Sequence, residues 1–163
     1  MDDIELATLR DELCKDCEVA EAARHLAAER FEAGGAASLE ACAYNLARLY
    51  NVIEQMAQRV ARLFENSIDD DRGWHAELIR RMTIEIRGVR PALFPEELAY
   101  PLRELRAFRH VVTHAYDLTL DPDKLRLLLK YADQVVRELQ GVAGEFIQRV
   151  ATMHGLTPPN SEG

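Results

Sequence analysis

Residues 39–63 read LEACAYNLARLYNVIEQMAQRVARL, and their spacing sets the fold class. Leu39, Cys42, Leu46, Leu49, Ile53, Met56, Val60 and Leu63 follow one another at alternating steps of 3 and 4. A repeat of that period keeps one face of a helix against its neighbours at a shallow crossing angle, as in a helical bundle. Ser38 is the expected N-cap, and Gly34-Gly35 breaks the chain before it.

The same rhythm extends in both directions. Upstream, a helix is expected from about Asp3 to Phe31, with Leu6, Leu9, Leu13, Cys17, Ala20 and Ala27 inward, and its small residues predict close helix approach. Downstream, Asp121-Pro122 reads as an N-cap followed by proline at the first helical position. Leu125, Leu128, Ala132, Val135, Leu139, Val142 and Phe146 then carry the seam of a last helix. Between lie a polar loop, NSIDDDRG (66–73), a short helix from about Trp74 to Arg87, and a proline-punctuated connection, RPALFPEELAYP (90–101). A further helix is expected from near Tyr100-Pro101 to about Asp117. Strand signals are nearly absent, with no sustained alternation and no Asn-Gly turn. The expectation is an all-α fold: an up-and-down bundle of four main helices plus a short extra helix. It forms one domain over residues 1–152, with 153–163 a disordered tail. A chain of this length buries roughly 70% of the surface that its unfolded form exposes.

No stretch approaches the roughly 20 apolar residues of a membrane span, and the acidic start MDDIELATLRDE is unlike a signal peptide. A cytoplasmic protein without membrane contact is the expectation. Cys14, Cys17 and Cys42 are too few for a disulfide framework. Cys14 and Cys17 form a CxxC within a helical pattern and no second pair accompanies them, so reduced thiols facing neighbouring helices are expected. The formal charge of −8 speaks against a protein that coats nucleic acid indiscriminately. Its distribution is uneven. Residues 1–79 carry a net of −9, whereas residues 80–109 hold seven arginines against four glutamates, a net of +3.

That arginine-rich segment runs into LRAFRHVVTHAY, residues 105–116. Leu105, Phe108, Val112 and Ala115 mark one buried helix face, yet an arginine, two histidines and a tyrosine sit among them. At 100° per residue, Arg109 and Tyr116 lie about 20° apart on one edge of that face, and His114 lies about 140° from Arg109. One straight helix does not aim Arg109 and His114 at one atom. By spacing alone, an ordinary core helix with polar edges accounts for these residues. His110 and His114, at i and i+4, also have the spacing of metal ligands, but no adjacent carboxylate completes an HExxH. Neither a metal nor a cofactor is expected.

RHVVTHAY resembles the signature of HEPN-domain ribonuclease toxins of the HepT type: arginine, four residues, histidine, one residue, tyrosine. Arg109, His114 and Tyr116 fit it without a gap. The family commonly has a polar residue, often asparagine, after the arginine, and here that residue is His110. The resemblance implies a metal-independent endoribonuclease, the toxin of a toxin–antitoxin pair. RNA supplies its own nucleophile, the 2′-hydroxyl, so cleavage needs a group that moves protons near neutrality and a cation for the phosphorane charge. Arg109 and His114 are the catalytic candidates; Arg106 and His110 are candidate phosphate or RNA contacts. The resemblance also implies a homodimer in which both motif copies line one cleft. It implies a partner, an MNT-like nucleotidyltransferase antitoxin that attaches AMP to Tyr116. A rival of another class is a non-catalytic HEPN-like bundle that binds a nucleotidyltransferase.

Overall fold

The structure is a computed structural model that describes residues 1–65, 74–114 and 119–157, the side chains of 74–76 excepted. The chain forms α1 (Asp3–Ala33), α2 (Ala36–Glu65), α3 (Trp74–Met82), a single 3-10 turn (Glu96–Leu98), α4 (Ala99–His114) and α5 (Pro122–His154). No strand occurs among the described residues, only an isolated bridge between Ile86 and Arg90. The all-α bundle of four long helices and a short one is therefore present. The polar loop expected over 66–73 lies outside the described residues.

The four long helices form a ring. α1 packs on α2 and α5, α4 packs on α2 and α5, and α2 meets α5 across the middle. The expected seam of α2 is inward: Cys42, Leu46, Leu49, Ile53, Met56 and Val60 are buried, with Leu39 and Leu63 packed at its ends. α2 also buries a second seam one residue on: Ala43, Ala47, Tyr50, Glu54, Ala57 and Ala61, at steps of 4, 3, 4, 3, 4. On α1, Ala20, Ala23 and Ala27 have no exposed surface, so small residues do bring its neighbours close. No helix among the described residues is long and apolar enough to cross a membrane.

Helix ends follow local chemistry. Asp2 and Glu5 form a reciprocal capping box at the start of α1, with Oδ1 of Asp2 accepting from the Glu5 amide at 2.8 Å. Asp121 caps α5 as expected, accepting from the Asp123 amide at 2.9 Å ahead of Pro122. Ser38 is not the cap of α2. Gly34 and Gly35 adopt φ values of 67° and 81°, which reverse the chain at once, and the helix begins at Ala36. α5 runs to His154 and ends on left-handed Gly155; Leu156 packs on the core, and the Thr157 amide donates to Asp3 at 3.3 Å.

α3 stops at Met82, short of the expected Arg87. The reason is Arg90, whose side chain is fully buried. Its Nε and Nη2 donate to Oε1 of Glu65 at 2.8 and 2.6 Å. Nη1 donates to the carbonyls of Ile84 and Pro91, and Nη2 also donates to that of Arg81. All five guanidinium protons are thus used, three of them on backbone carbonyls, and a longer α3 would commit those of Arg81 and Ile84 to its own ladder. Gly88, at φ 73°, closes the turn that brings Arg90 back to Ile86. Arg81 joins the cluster from α3 by pairing with Glu65.

Two predictions follow from burial. Arg90→Ala leaves Glu65 short of its main counter-charge and takes a donor from three carbonyls, so it lowers stability by about 3–5 kcal/mol. Arg90→Lys does not rescue, since an ammonium has three donors and no planar fork. Urea unfolding of both variants checks this, and a midpoint within error of the unsubstituted protein for either refutes it. Among the thiols, Cys14 is exposed, whereas Cys17 and Cys42 are buried. Burial pushes Cys17 up to about 12, helped by the nearby Cys14 and Asp16, and pushes Cys42 up to about 11. The thiolate is the reactive form. Iodoacetamide at pH 8 therefore adds once to the native protein, at Cys14, and to all three thiols after denaturation; rapid native labelling of Cys17 contradicts the assignment.

Candidate functional site

α4 owes its placement to a short apolar stripe. Leu102, Leu105 and Phe108 are buried and Val112 packs partly against the core, as their spacing required. The helix begins at Ala99, with Pro101 inside its first turn where the missing amide costs nothing. It is described to His114. Tyr116, with Ala115, lies outside the described residues.

Arg109 sits at the edge of this stripe and turns toward α2. Its Nε donates to Oδ1 of Asn51 at 2.8 Å, and its Nη2 donates to Oε2 of Glu54 at 3.0 Å. Glu54 is buried in the second seam of α2, so its charge requires a cationic neighbour there. Below the guanidinium lies the ring of Tyr50, its centroid 5.9 Å from Cζ. Burial first, and then the Glu54 charge, hold the Tyr50 hydroxyl far above the usual range, so it remains protonated. Two of the five guanidinium protons are engaged, and the Nη1 edge makes no hydrogen bond among the described residues. The arginine is oriented without being used up.

His114 is exposed at the end of α4, and its Nδ1 lies 2.9 Å from the His110 carbonyl and 2.8 Å from the Thr113 hydroxyl. A carbonyl only accepts, so the neutral ring carries its proton on Nδ1 and leaves Nε2 as an acceptor. Thr113 in turn donates to the Arg109 carbonyl at 2.9 Å. The ring of His110 lies 4.4 Å from that of His114, tilted by 30°.

The structure brings His110 and His114 together but does not bring either to the Arg109 guanidinium. The angular separation read from the sequence is real: Arg109 faces α2, and the imidazoles face out. Arg106 is half-buried one turn before Arg109, and its charge also reaches Tyr50. Among the described residues, no three His, Cys, Asp or Glu side chains converge as a metal site. The partners Asn51 and Glu54 escaped the reading of the sequence. A signal was available, since a glutamate in an otherwise small, apolar heptad stripe (Ala43, Ala47, Tyr50, Glu54, Ala57, Ala61) demands a buried cation opposite.

A family model described as "HepT-like protein" matches residues 41–150, which span most of α2 and all of α3 and α4 as well as most of α5. No curated protein and no solved structure matches the chain. The match takes in both the arginine and its α2 anchor, covers well over half of the chain, and agrees with the all-α bundle. The chain belongs to the HepT-like protein family.

Proposed function

We propose that this protein is a metal-independent endoribonuclease and the toxin of a toxin–antitoxin pair, with Arg109 and His114 as its catalytic residues. The observation that carries the reading is the unequal treatment of these side chains. Arg109 is held in place by Asn51 and Glu54 with its Nη1 edge left over, and His114 is held through Nδ1 with Nε2 left over. A helix that needed them only for packing has no cause to orient both.

In the proposed reaction Nε2 of His114 takes the proton of a ribose 2′-hydroxyl as its oxygen attacks the adjacent phosphorus. The bond from phosphorus to the 5′-oxygen breaks, and that oxygen receives a proton from an imidazolium. The products are a 2′,3′-cyclic phosphate and a 5′-hydroxyl. Arg109 faces the phosphorane oxygens, with Arg106 one turn before it and His110 beside His114 as phosphate contacts. Since Arg109 and His114 point apart on one helix, the site is completed by a second copy across a two-fold axis, and the working form is a homodimer.

His114→Ala reduces RNA cleavage by roughly 10²- to 10⁴-fold, as does loss of charge stabilisation in Arg109→Ala. EDTA leaves the activity intact. Mixing the two variants restores part of the activity, because one site of each mixed dimer retains both groups. Full activity of His114→Ala, strict need for a divalent metal, or failure of the mixture to recover would each refute its part of this scheme.

A second reading has an observation in its favour. Glu54 neutralises Arg109 as it stands, which suits a non-catalytic bundle that binds a nucleotidyltransferase. Under either reading, Tyr116 is the proposed acceptor of AMP from that partner. The phenolic oxygen attacks the α-phosphorus of a nucleoside triphosphate, pyrophosphate leaves, and the phenol proton goes to solvent. One added negative charge roughly 5 Å from where RNA phosphate binds costs on the order of 3 kcal/mol at an effective dielectric near 20, about a hundredfold in affinity. After co-expression with the partner enzyme, intact-mass analysis shows adenylyl adducts that Tyr116→Phe lacks. An inhibited complex with unmodified Tyr116 would mean that inhibition works by binding alone.

A further inference from the structure

A groove of about 420 Å³ opens between α3 and α4. Arg80 enters it from α3 and Arg103 and Arg106 from α4; Tyr100 and Ile79 add apolar surface, and Glu96 is its carboxylate. The three arginines differ in their engagement. Arg80 pairs with Glu77, and the Arg103 Nε lies 3.9 Å from Glu104, both at the exposed surface where such pairs hold weakly. Arg106 makes no hydrogen bond or ion pair among the described residues. A half-buried guanidinium with no counter-ion among the described residues is unusual in a body of net charge −8.

The aromatic side of the groove is ordered as well. Cζ of Arg103 lies 5.0 Å from the centroid of the Tyr100 ring, and the Tyr131 ring packs at nearly a right angle to it, 5.7 Å between centroids. Tyr100 nonetheless remains 50% exposed. A half-open tyrosine with a stacked guanidinium offers a flat surface for a base, and the remaining arginines offer cations for a phosphate. Free phosphate would need only the cations, and a folded protein partner would not need so small a recess.

The groove and the candidate site share α4, with Arg103 and Arg106 lining the groove and Arg109 one turn beyond. Arg103, Arg106 and Arg109 recur every third residue, so they span about 9 Å along α4, roughly one or two nucleotides. We infer that the α3–α4 groove is a nucleotide subsite: it holds the single-stranded RNA nucleotide beside the two that flank the scissile phosphate, with its base against Tyr100 and Arg103 and its phosphate on Arg106. The inference rests on the ribonuclease reading above and names where the rest of its substrate lies.

The test is binding of fluorescent 2′-fluoro oligonucleotides of two and four residues, which lack the nucleophile and are not cut. Extending the oligonucleotide from two residues to four raises affinity by about 10-fold or more, the usual worth of one stacked base. Arg103→Ala and Tyr100→Ala abolish most of that gain, and Arg106→Gln lowers the salt slope by roughly 0.7, one phosphate contact on a single strand. Arg30→Ala, an equal loss of charge on α1, changes neither. A gain in affinity that survives in Arg103→Ala and Tyr100→Ala overturns the subsite even if the protein cleaves RNA. Groove-dependent binding by a protein that cuts no RNA sustains the subsite and overturns the nuclease reading instead. Should these variants alter only the mass of the protein in solution, the groove is an interface between protein chains and the inference fails.

Discussion

α2 has to bury two adjacent faces at once, and the rest of the bundle is arranged around that requirement. Its large residues, from Leu46 to Val60, fill the middle of the ring, and its small ones, Ala43, Ala47, Ala57 and Ala61, permit close approach on the neighbouring face. A helix with so wide an apolar sector cannot lie at the edge of a two-helix hairpin. It requires α1 on one side and α4 on the other, with α5 across the centre, and that is the ring observed.

Two carboxylates of α2 interrupt this apolar surface, and each holds an arginine from a later segment. Glu65 takes Arg90, and Glu54 takes Arg109. The two pairs share a chemistry and differ in completeness. Arg90 gives every proton to a fixed acceptor and is shut off from solvent, so it can only hold the α3–α4 connection together. Arg109 gives two protons to α2 and keeps part of its side chain at the surface. The difference between a structural and a candidate functional arginine thus lies in uncommitted donors together with the surface that exposes them.

Much of this was legible in the order of residues. The heptad steps of α2 and α5, the Asp121-Pro122 start and the stripe of α4 are local patterns whose period alone specifies a helix and its inward face. The motif residues Arg109 and His114 were legible too, together with the angle that separates them. What escaped were features set by contact between distant segments. Nothing near residue 82 says that α3 must stop there; the reason is a guanidinium eight residues later reaching a carboxylate on α2. Ser38 has the right chemistry for a cap, but two glycines in left-handed conformations complete the reversal before it is needed. Asn51 and Glu54 acquire meaning only once α4 lies across them.

The complete satisfaction of Arg90 also bears on how the connection between α3 and α4 moves. Three of its carbonyl partners lie within residues 81–91, and amides of Leu93 and Phe94 are anchored on Met82 at 2.8 and 3.0 Å. No strand or helix spans this segment, which is ordinarily the description of a region that frays residue by residue. Here fraying is suppressed, because releasing any one carbonyl strands a buried charged donor. Intermediate openings are each penalised, and the connection either stays closed or opens as a single cooperative unit. A stretch without regular secondary structure therefore behaves toward solvent exchange as a helix would, and it supplies α4, with its arginines, a rigid foundation.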